Sequence, residues 1–237
     1  MIDSTLLRLG PDRFRVVPWR GTVGVALVSP VPGGPSPRQA SVERCVEVLA
    51  DRGIHEVVTG ALAQNEQRSF LAAGFEVREQ LHLLARTLHD LPVGPTGVRI
   101  RRARRTERPN VLAVDHLAFD DFWRLDDTGL TDALDATSAS RFRVAVRPGI
   151  IGYAITGRAG GRGYVQRLAV DPGQQRRGVA SALIVDGLRW LRRHGVAQVV
   201  VNTQVGNDAA LHTYEHLGFR RQPDGLAVLA RSTGQPA

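Results

Sequence analysis

The amino-acid sequence predicts an α/β fold of the α+β kind, with helices packed on a mixed sheet. Short β-like runs alternate with amphipathic helical patterns along most of the 237 residues, which is typical of this class. One β-like run, residues 164–170, leads through a turn directly into a helix at Gly178. A helix–glycine–strand–helix pattern also occurs twice in the chain, which predicts two related α/β halves.

The first half carries helical and strand periodicities separated by turn residues. In order, it predicts strands at 13–17 and 23–28, a loop at 30–37, a helix at 41–51, a strand at 54–60, a helix at 65–73 and one or two strands within 77–88. Ser41 is the expected N-cap of the first helix, and Gly53 is its expected stop. Cys45 lies on the apolar stripe of that helix, so we expect it in the core rather than at a reactive site.

A Pro- and Gly-rich linker at 91–97 divides the chain into predicted domains at residues 1–94 and 95–237. After the linker, the pattern predicts a strand at 98–102, helices at 110–119 and 130–137, paired strands at 142–146 and 150–156, a strand at 164–170, a helix at 178–194, a strand at 196–201, a helix at 207–217 and a strand at 226–230.

Composition and charge limit the classes of function. The formal net charge is +8, and every basic residue is arginine. The arginines are spread out and aromatic residues are few, so the composition does not favour nucleic-acid binding. The densest arginine run, within 99–108, alternates with apolar residues as an edge strand does. The single cysteine excludes an internal disulfide and a cysteine-rich metal site. Because no membrane-length apolar run and no secretory signal are found, we expect a cytoplasmic protein without membrane contact.

The passage from 170 to 184 is the best candidate for a binding site. A strand–turn–helix passage points several backbone N–H groups and the positive end of a helix dipole at one place, which suits a pyrophosphate. Gly178 and Ala180 are small enough to let a ligand approach the backbone closely. The sequence therefore predicts an anion cradle at the start of this helix.

The internal repeat aligns the helix-ending glycines and the Gly-Phe pairs of the two halves. Gly53 and Gly195 are 142 residues apart, and Gly74 and Gly218 are 144 residues apart. The halves differ where chemistry is expected. The loop at 33–38, which corresponds to the anion cradle, contains two prolines that lack an N–H. Phe70 stands where the second half has Tyr214, so we interpret the first half as a degenerate copy.

Two motifs in the second half carry a resemblance to a known family. Gln175-Arg176-Arg177-Gly178-Val179-Ala180 follows Val170-Asp171-Pro172, and Asn207, Ala210, Tyr214, Gly218 and Phe219 form a second motif. In this order, on these elements, they resemble the GNAT superfamily of acetyl-CoA-dependent N-acyltransferases. The resemblance covers roughly residues 97–231. It implies a GNAT-like fold in the second half, preceded by a partial, degenerate GNAT-like half.

The resemblance also implies roles for particular residues. The backbone of Leu168, Ala169 and Val170 would contact acetyl-CoA, with the Val170 N–H polarising the thioester carbonyl. Tyr214 would protonate the leaving thiolate. No metal is expected. The remaining cofactor-binding residues implied by the family pattern are Gln175, Arg176, Arg177, Gly178, Val179, Ala180, Ser181 and Asn207.

The general base is where this sequence departs from the family. Members often carry a carboxylate at the positions of Tyr164 and Asn202, and neither residue is a base at neutral pH. A chain of waters or a residue from the acceptor side would then deprotonate the amine. Two readings of the acidic stretch 120–127 and of His116 stay open: a solvated loop, or an acceptor wall that favours a cationic amine.

Three functions are compatible with these patterns. The first is an N-acetyltransferase that moves an acetyl group from acetyl-CoA to a primary amine of a small molecule or a protein. The second is a non-catalytic acyl-CoA-binding regulatory module, in which the missing carboxylates mean lost chemistry. The third is nucleic-acid binding through residues 99–108, which would depend on salt. The sequence predicts no particular oligomeric state.

Overall fold

A computed structural model describes residues 5–31 and 36–234, which form two compact units. The first unit contains the described parts of Met1–Leu83, Gln204–Gly206 and Pro223–Ala237, and the second contains Leu84–Thr203 and Asn207–Gln222. The last strand of the chain therefore belongs to the first unit. The predicted division into 1–94 and 95–237 concerns the repeat and stays a prediction. Residues 33–35 of the proline-containing loop lie outside the described residues.

The first unit combines a mixed sheet with two helices. Its elements are β1 (Thr5–Leu9), β2 (Asp12–Pro18), β3 (Val25–Pro30), α1 (Gln39–Ala50), β4 (Glu56–Thr59), β5 (Leu62–Ala63), α2 (Gln64–Ala72), the first part of β6 (Glu76–Thr87) and β13 (Leu226–Ser232). The sheet order is β1-β2-β3-β4-β13-β6, with β5 beside β13. Only the β3–β4 pair is parallel among the pairs described in this unit.

One core cluster joins the helices of this unit to its sheet. Phe14, Leu49 and Phe70 are each fully buried, and Cys45 is 1% exposed. The core assignment of Cys45 is therefore confirmed, and burial raises the pKa of its thiol to about 12. The apolar stripe of α1 is what carries Leu49 and Cys45 into this cluster.

For the first unit, one local prediction was wrong, one open alternative is decided and one strand was missed. Ser41 is not the cap of α1, which begins at Gln39; the Ser41 hydroxyl donates instead to the Leu9 carbonyl at 3.3 Å. Residues 76–87 form one strand rather than two. The strand β1 was not predicted, because the adjacent apolar residues Leu6 and Leu7 interrupt a strict alternation of apolar and polar residues.

The second unit has a larger mixed sheet. Its elements are the end of β6, β7 (Arg99–Arg102), α3 (Arg108–Ala118), α4 (Asp127–Asp135), β8 (Ala139–Arg147), β9 (Gly149–Ala159), β10 (Arg162–Val170), α5 (Val179–Arg193), β11 (Gln198–Gln204), α6 (Asp208–His216) and β12 (Arg220–Arg221). The sheet order is β6-β11-β10-β9-β8-β7, with β12 beside β6. The β10–β11 pair is parallel and the β7–β8, β8–β9 and β9–β10 pairs are antiparallel.

The helices of the second unit cover both faces of its sheet. Tyr153 and Ala169 face α3 and α4, whereas Ala154 and Val170 face α5. Neighbouring strand residues point to opposite faces, so α3 and α5 lie on opposite sides of β10. The predicted α/β class with a mixed sheet is thereby confirmed.

Candidate active site

Strands β10 and β11 separate part-way along their length. Their parallel register contains three pairs, from Arg162–Gln198 to Tyr164–Val200, although β10 continues to Val170 and β11 to Gln204. An irregularity between Val165 and Arg167 in the β9 register places an extra residue in β10 at this point, and such a bulge bends its strand. The result is an open edge along the last part of β10.

The hydrogen-bond alternation of β10 decides which backbone groups face this open edge. The Asp171 N–H donates to the Ile151 carbonyl at 3.0 Å, on the β9 side. Paired residues of an antiparallel ladder alternate in hydrogen bonding, so Ala169 also faces β9. The backbone groups of Leu168 and Val170 then point toward the open edge. Of the three predicted backbone contacts, the geometry favours these two, whereas the Ala169 backbone is used by the ladder.

The turn after β10 leads into the start of α5. Its first helical hydrogen bond runs from the Ala182 N–H to the Gly178 carbonyl at 2.9 Å. The N–H groups of Val179, Ala180 and Ser181 therefore have no partner within the helix. Together with the helix dipole they give this end of α5 the geometry that favours an anion, and the predicted cradle stays a prediction.

Two residues of this turn have left-handed backbone conformations. Gly178 has φ +75°, and a Cβ placed on it would be 3.0 Å from the Pro95 side chain. Arg176 has φ +57°, which is uncommon for a residue with a side chain. Gln175, Arg176 and Arg177 are exposed at this turn. Gly178 is therefore required both by its backbone conformation and by the space available.

Tyr214 and Asn207 lie on and beside α6. Tyr214 is 5% exposed, packs edge-on against Phe219, and shares a core cluster with Leu168. Burial raises the pKa of its phenol, so this group stays protonated at neutral pH. The side-chain oxygen of Asn207 accepts a hydrogen bond from the Ala210 N–H at 3.1 Å and caps α6. Its amide oxygen is therefore occupied by the helix.

The open edge of β10, the helix-start turn and the capped α6 all lie within residues 107–219, which match the model of the acetyltransferase (GNAT) family. This stretch belongs to the GNAT family. The GNAT domain lies mainly in the second unit, and it contains both the open edge of β10 and the start of α5. None of the described residues forms a group of three or more His, Cys, Asp or Glu side chains that could hold a metal ion.

Related sequences include mycothiol acetyltransferases. That of Saccharopolyspora erythraea is 35% identical over 138 residues, which cover 54% of this chain and 45% of that protein. That of Thermobispora bispora is 32% identical over 144 residues, which cover 55% of this chain and 49% of that protein. The matched stretch is thus about half the length of these curated relatives.

Solved structures with the same fold cover nearly the whole chain. A tandem GNAT protein from the clavulanic acid biosynthesis pathway has a TM-score of 0.70 with 14% identity, covering 98% of this chain and 83% of that one. A GCN5-related N-acetyltransferase from Sphaerobacter thermophilus has a TM-score of 0.64 with 19% identity, covering 95% and 78%. At these identities the likeness concerns the fold. It agrees with the tandem arrangement that the internal repeat predicts.

The acidic residues between α3 and α4 have local structural roles. The Asp126 carboxylate caps α4 by accepting from the Gly129 N–H at 2.7 Å, and Asp127 pairs with Arg108 at 2.6 Å. Asp121 pairs with Arg124, and Asp120 accepts from the Trp123 N–H at 3.1 Å. His116 bonds to the Leu125 carbonyl at 2.8 Å. These partners support the solvated-loop interpretation over a wall of free carboxylates.

The positions of the expected general base carry no carboxylate in the folded GNAT domain either. Tyr164 is half-buried and forms the last parallel pair of β10 with Val200. Asn202 is exposed, two residues beyond that pair on β11. Both residues therefore border the place where the strands separate, and neither side chain is a carboxylate.

Sequence reasoning missed a buried ionic cluster in the GNAT domain. Asp115 on α3 is fully buried, and its carboxylate accepts from Arg167 Nε and Nη2, each at 2.8 Å. The Tyr153 hydroxyl and the Leu125 N–H also donate to this carboxylate. The sequence signal that could have revealed this cluster is an aspartate within the apolar pattern of a helix, since charged residues are rarely buried without a partner.

Arg167 extends this cluster to the segment 119–125. Its Nη2 group donates to the Trp123 carbonyl at 2.7 Å, and its guanidinium carbon lies 3.6 Å from the centre of the Phe119 ring. The Arg167 side chain is 9% exposed. Arg167 directly precedes Leu168, whose backbone faces the open edge of β10.

Proposed function

We propose that the GNAT domain transfers an acetyl group from acetyl-CoA to a primary amine of a small molecule. The observation that carries this proposal is the separation of β10 and β11 beside the unpaired N–H groups at the start of α5. An extended thioester fits along the open edge, and a pyrophosphate fits the helix start.

The chemistry follows from the groups at this edge. The Val170 N–H is placed to donate to the thioester oxygen as it gains negative charge. The neutral amine nitrogen attacks the carbonyl carbon, a C–N bond forms, the nitrogen releases a proton to solvent water, and the C–S bond breaks. Tyr214 supplies the proton that the leaving thiolate takes up, and regains one from solvent. Because burial raises its pKa, the Tyr214 phenol is protonated before each turnover.

The incoming amine must be neutral when it attacks. An alkyl ammonium has a pKa near ~10, and Tyr164 and Asn202 provide no base at the strand separation. We therefore assign the deprotonation to solvent water. The rate below pH ~9 then rises about tenfold per pH unit, in proportion to the neutral amine.

The proposed acceptor class rests on the related sequences, and the role of the first unit is a separate proposal. The related sequences are named for mycothiol, a small molecule, and we carry over only the class, because this chain spans about half their length. The first unit is proposed to be a degenerate half without its own acetyl-CoA site. A protein amine is the rival acceptor class, and turnover of protein amines alone would contradict the small-molecule proposal.

A thermal-shift measurement combined with a transfer assay tests the proposal. Acetyl-CoA should raise the melting temperature, since a ligand that binds only the folded state stabilises it. Release of free thiol should then depend on an added amine, taken from cysteamine, glucosamine, spermidine, lysine and mycothiol lacking its acetyl group. No shift with acetyl-CoA or with longer acyl-CoAs would reject the proposal.

A second candidate, a non-catalytic acyl-CoA-binding module, is favoured by one observation. The two positions bordering the strand separation hold Tyr164 and Asn202 rather than carboxylates. This candidate predicts a thermal shift with acetyl-CoA and no amine-dependent thiol release at any pH from 7 to 10. Turnover that rises with pH would exclude it.

A further inference from the structure

The ionic cluster of Asp115, Tyr153 and Arg167 is too costly to be explained by stability alone. Replacing a buried ion pair by apolar residues of similar volume is often neutral or stabilising, because both charges lose their hydration on burial. Asp115 is fully buried and the Arg167 side chain is 9% exposed. A buried charge pair at this place calls for a role in geometry.

The contacts of the cluster join two parts of the GNAT domain that border the candidate site. On one side is β10, where Arg167 is adjacent to Leu168. On the other is segment 119–125, held by the Leu125 N–H on Asp115 at 2.8 Å and by the Trp123 carbonyl on Arg167 at 2.7 Å. The Phe119 ring packs on the guanidinium as well. No apolar pair supplies this set of directional contacts.

The cluster lies on the face of the sheet from which an acceptor would approach. The helix-start anion site belongs to α5, whose core cluster includes Val170. Ala169, one residue earlier, faces α3 on the opposite side. A second substrate that reaches the open edge of β10 while α5 holds a pyrophosphate must come from the α3 side. Segment 119–125 lies on that side.

We propose that Asp115 and Arg167 are positioning residues that hold segment 119–125 against β10 and so shape the acceptor side of the site. This inference rests on the proposed function. The ion pair acts at a distance from the reacting atoms. Loss of the ion pair should impair acceptor binding and leave acetyl-CoA binding intact. The pair does not contact the start of α5 or the backbone groups of Leu168 and Val170 that face the open edge of β10.

Arg167→Lys is the informative variant. Lysine keeps the charge but has no rigid fork that donates to two carboxylate oxygens and a carbonyl at once. We expect the KM for each amine of the panel that turns over to rise about tenfold, since small misplacements near a reacting centre are costly. The Kd of acetyl-CoA should change less than about twofold. Hydrogen exchange at the Leu125 amide should accelerate about tenfold more than at the other amides of the GNAT domain.

Two control variants separate positioning from general stability. Tyr153→Phe removes a hydroxyl from the same carboxylate without touching segment 119–125, and it should leave the amine KM unchanged. Arg141→Lys breaks another bidentate pair, with Asp186 at 2.8 and 3.0 Å, in the same unit. It should lower the melting temperature without altering the exchange of Leu125.

Two results overturn the inference, and a third refutes only the proposed function. An Arg167→Lys protein whose Leu125 exchange changes no more than the rest of the unit overturns the inference, as does an equal loss of affinity for amine and acetyl-CoA. A wild-type protein that acetylates none of the amines refutes the proposed function alone, because the exchange of Leu125 still decides whether the pair holds the segment. If Arg167→Lys fails to fold, Asp115→Asn, which keeps the shape of the side chain, takes its place with the same expectations.

Discussion

Each unit contains a parallel pair of strands joined by a helix, and the two pairs differ in how far the strands stay paired. In the first unit all four residues of β4 pair with β3, from Val25–Glu56 to Val28–Thr59. In the second unit β10 and β11 pair over three residues and then separate. Backbone groups that are engaged in a ladder are not available to a ligand. The same arrangement of elements therefore offers a binding edge in one unit and a closed sheet in the other.

The helix starts differ in the same direction. In the second unit Gly178 leaves the first N–H groups of α5 open. In the first unit Arg38 precedes α1, and the Asp12 carboxylate accepts from the Arg38 N–H at 3.2 Å and lies 3.6 Å from its guanidinium. A carboxylate already occupies the neighbourhood that an anion would take. This difference supports the proposal that the first unit is a degenerate copy without an anion site.

The largest effect is expected from Val170→Pro. Val170 points its N–H to the open edge, so proline at this position removes a catalytic donor without removing a ladder bond. Turnover should fall about 100- to 1,000-fold, as for other oxyanion donors, as measured by thiol release.

Ala169→Pro is the matched control for that variant. It removes a bond to β9 and should mainly lower the melting temperature. If Val170→Pro retained wild-type turnover, the open edge of β10 would not be the site of the thioester.

The next effect concerns the aromatic residues that the repeat aligns, Tyr214 and Phe70. Tyr214→Phe should lower kcat about 100-fold, because the thiolate then leaves without a proton donor, while the acetyl-CoA thermal shift stays the same. Stopped-flow or steady-state thiol release measures kcat.

The reciprocal variant Phe70→Tyr tests the first unit. Phe70 is fully buried, so a new hydroxyl there should destabilise the fold by about 1–3 kcal/mol and leave kcat unchanged. An unaltered kcat in Tyr214→Phe would remove Tyr214 as the acid.

A smaller effect separates strain from ligand approach at two glycines. Gly178→Ala introduces a Cβ at φ +75°, 3.0 Å from Pro95, and Gly53→Ala introduces one at φ +79° with no atom within 4 Å. Both should lose about 1–2 kcal/mol of stability from the left-handed backbone. Only Gly178→Ala should weaken acetyl-CoA binding, by about tenfold, because the new Cβ is next to the N–H groups of α5 that form the proposed anion site. Equal acetyl-CoA affinities in the two variants would contradict this assignment.

The smallest effect near neutral pH is the contribution of Cys45 in α1 to the pH dependence of the free energy of unfolding. Its pKa is raised to about 12 by burial, compared with about 8.5 in an unfolded chain. The folded state binds the proton more tightly, so this contribution to stability is complete below pH ~8.5 and is lost as the pH rises toward 12. Iodoacetamide should label the native protein far more slowly than the urea-unfolded protein at pH 8. Fast native labelling would show that α1 is not packed as described.

Periodicity was sufficient for the helices and for the longer strands. The apolar stripe of α5 and the alternation of β8 each predict an element within a few residues of its observed bounds. The strand β12 has only two residues, too few for a period to be recognised, and β1 has no strict alternation of apolar and polar residues. The Ser41 cap failed for a different reason, because α1 begins at Gln39 and Ser41 therefore lies inside its first turn, where the hydroxyl donates to the Leu9 carbonyl.

The sequence by itself determined the α/β class, the repeat, and the two motifs around Gly178 and Tyr214, because these depend on local spacing and on residue types with special backbone or proton-donating properties. The tertiary structure alone decided where β10 leaves β11, which backbone groups of β10 face the opening, and that Asp115 pairs with Arg167. The partners in each of these features are far apart in the chain, at 52 residues for Asp115 and Arg167. Local periodicity carries no record of which distant groups meet.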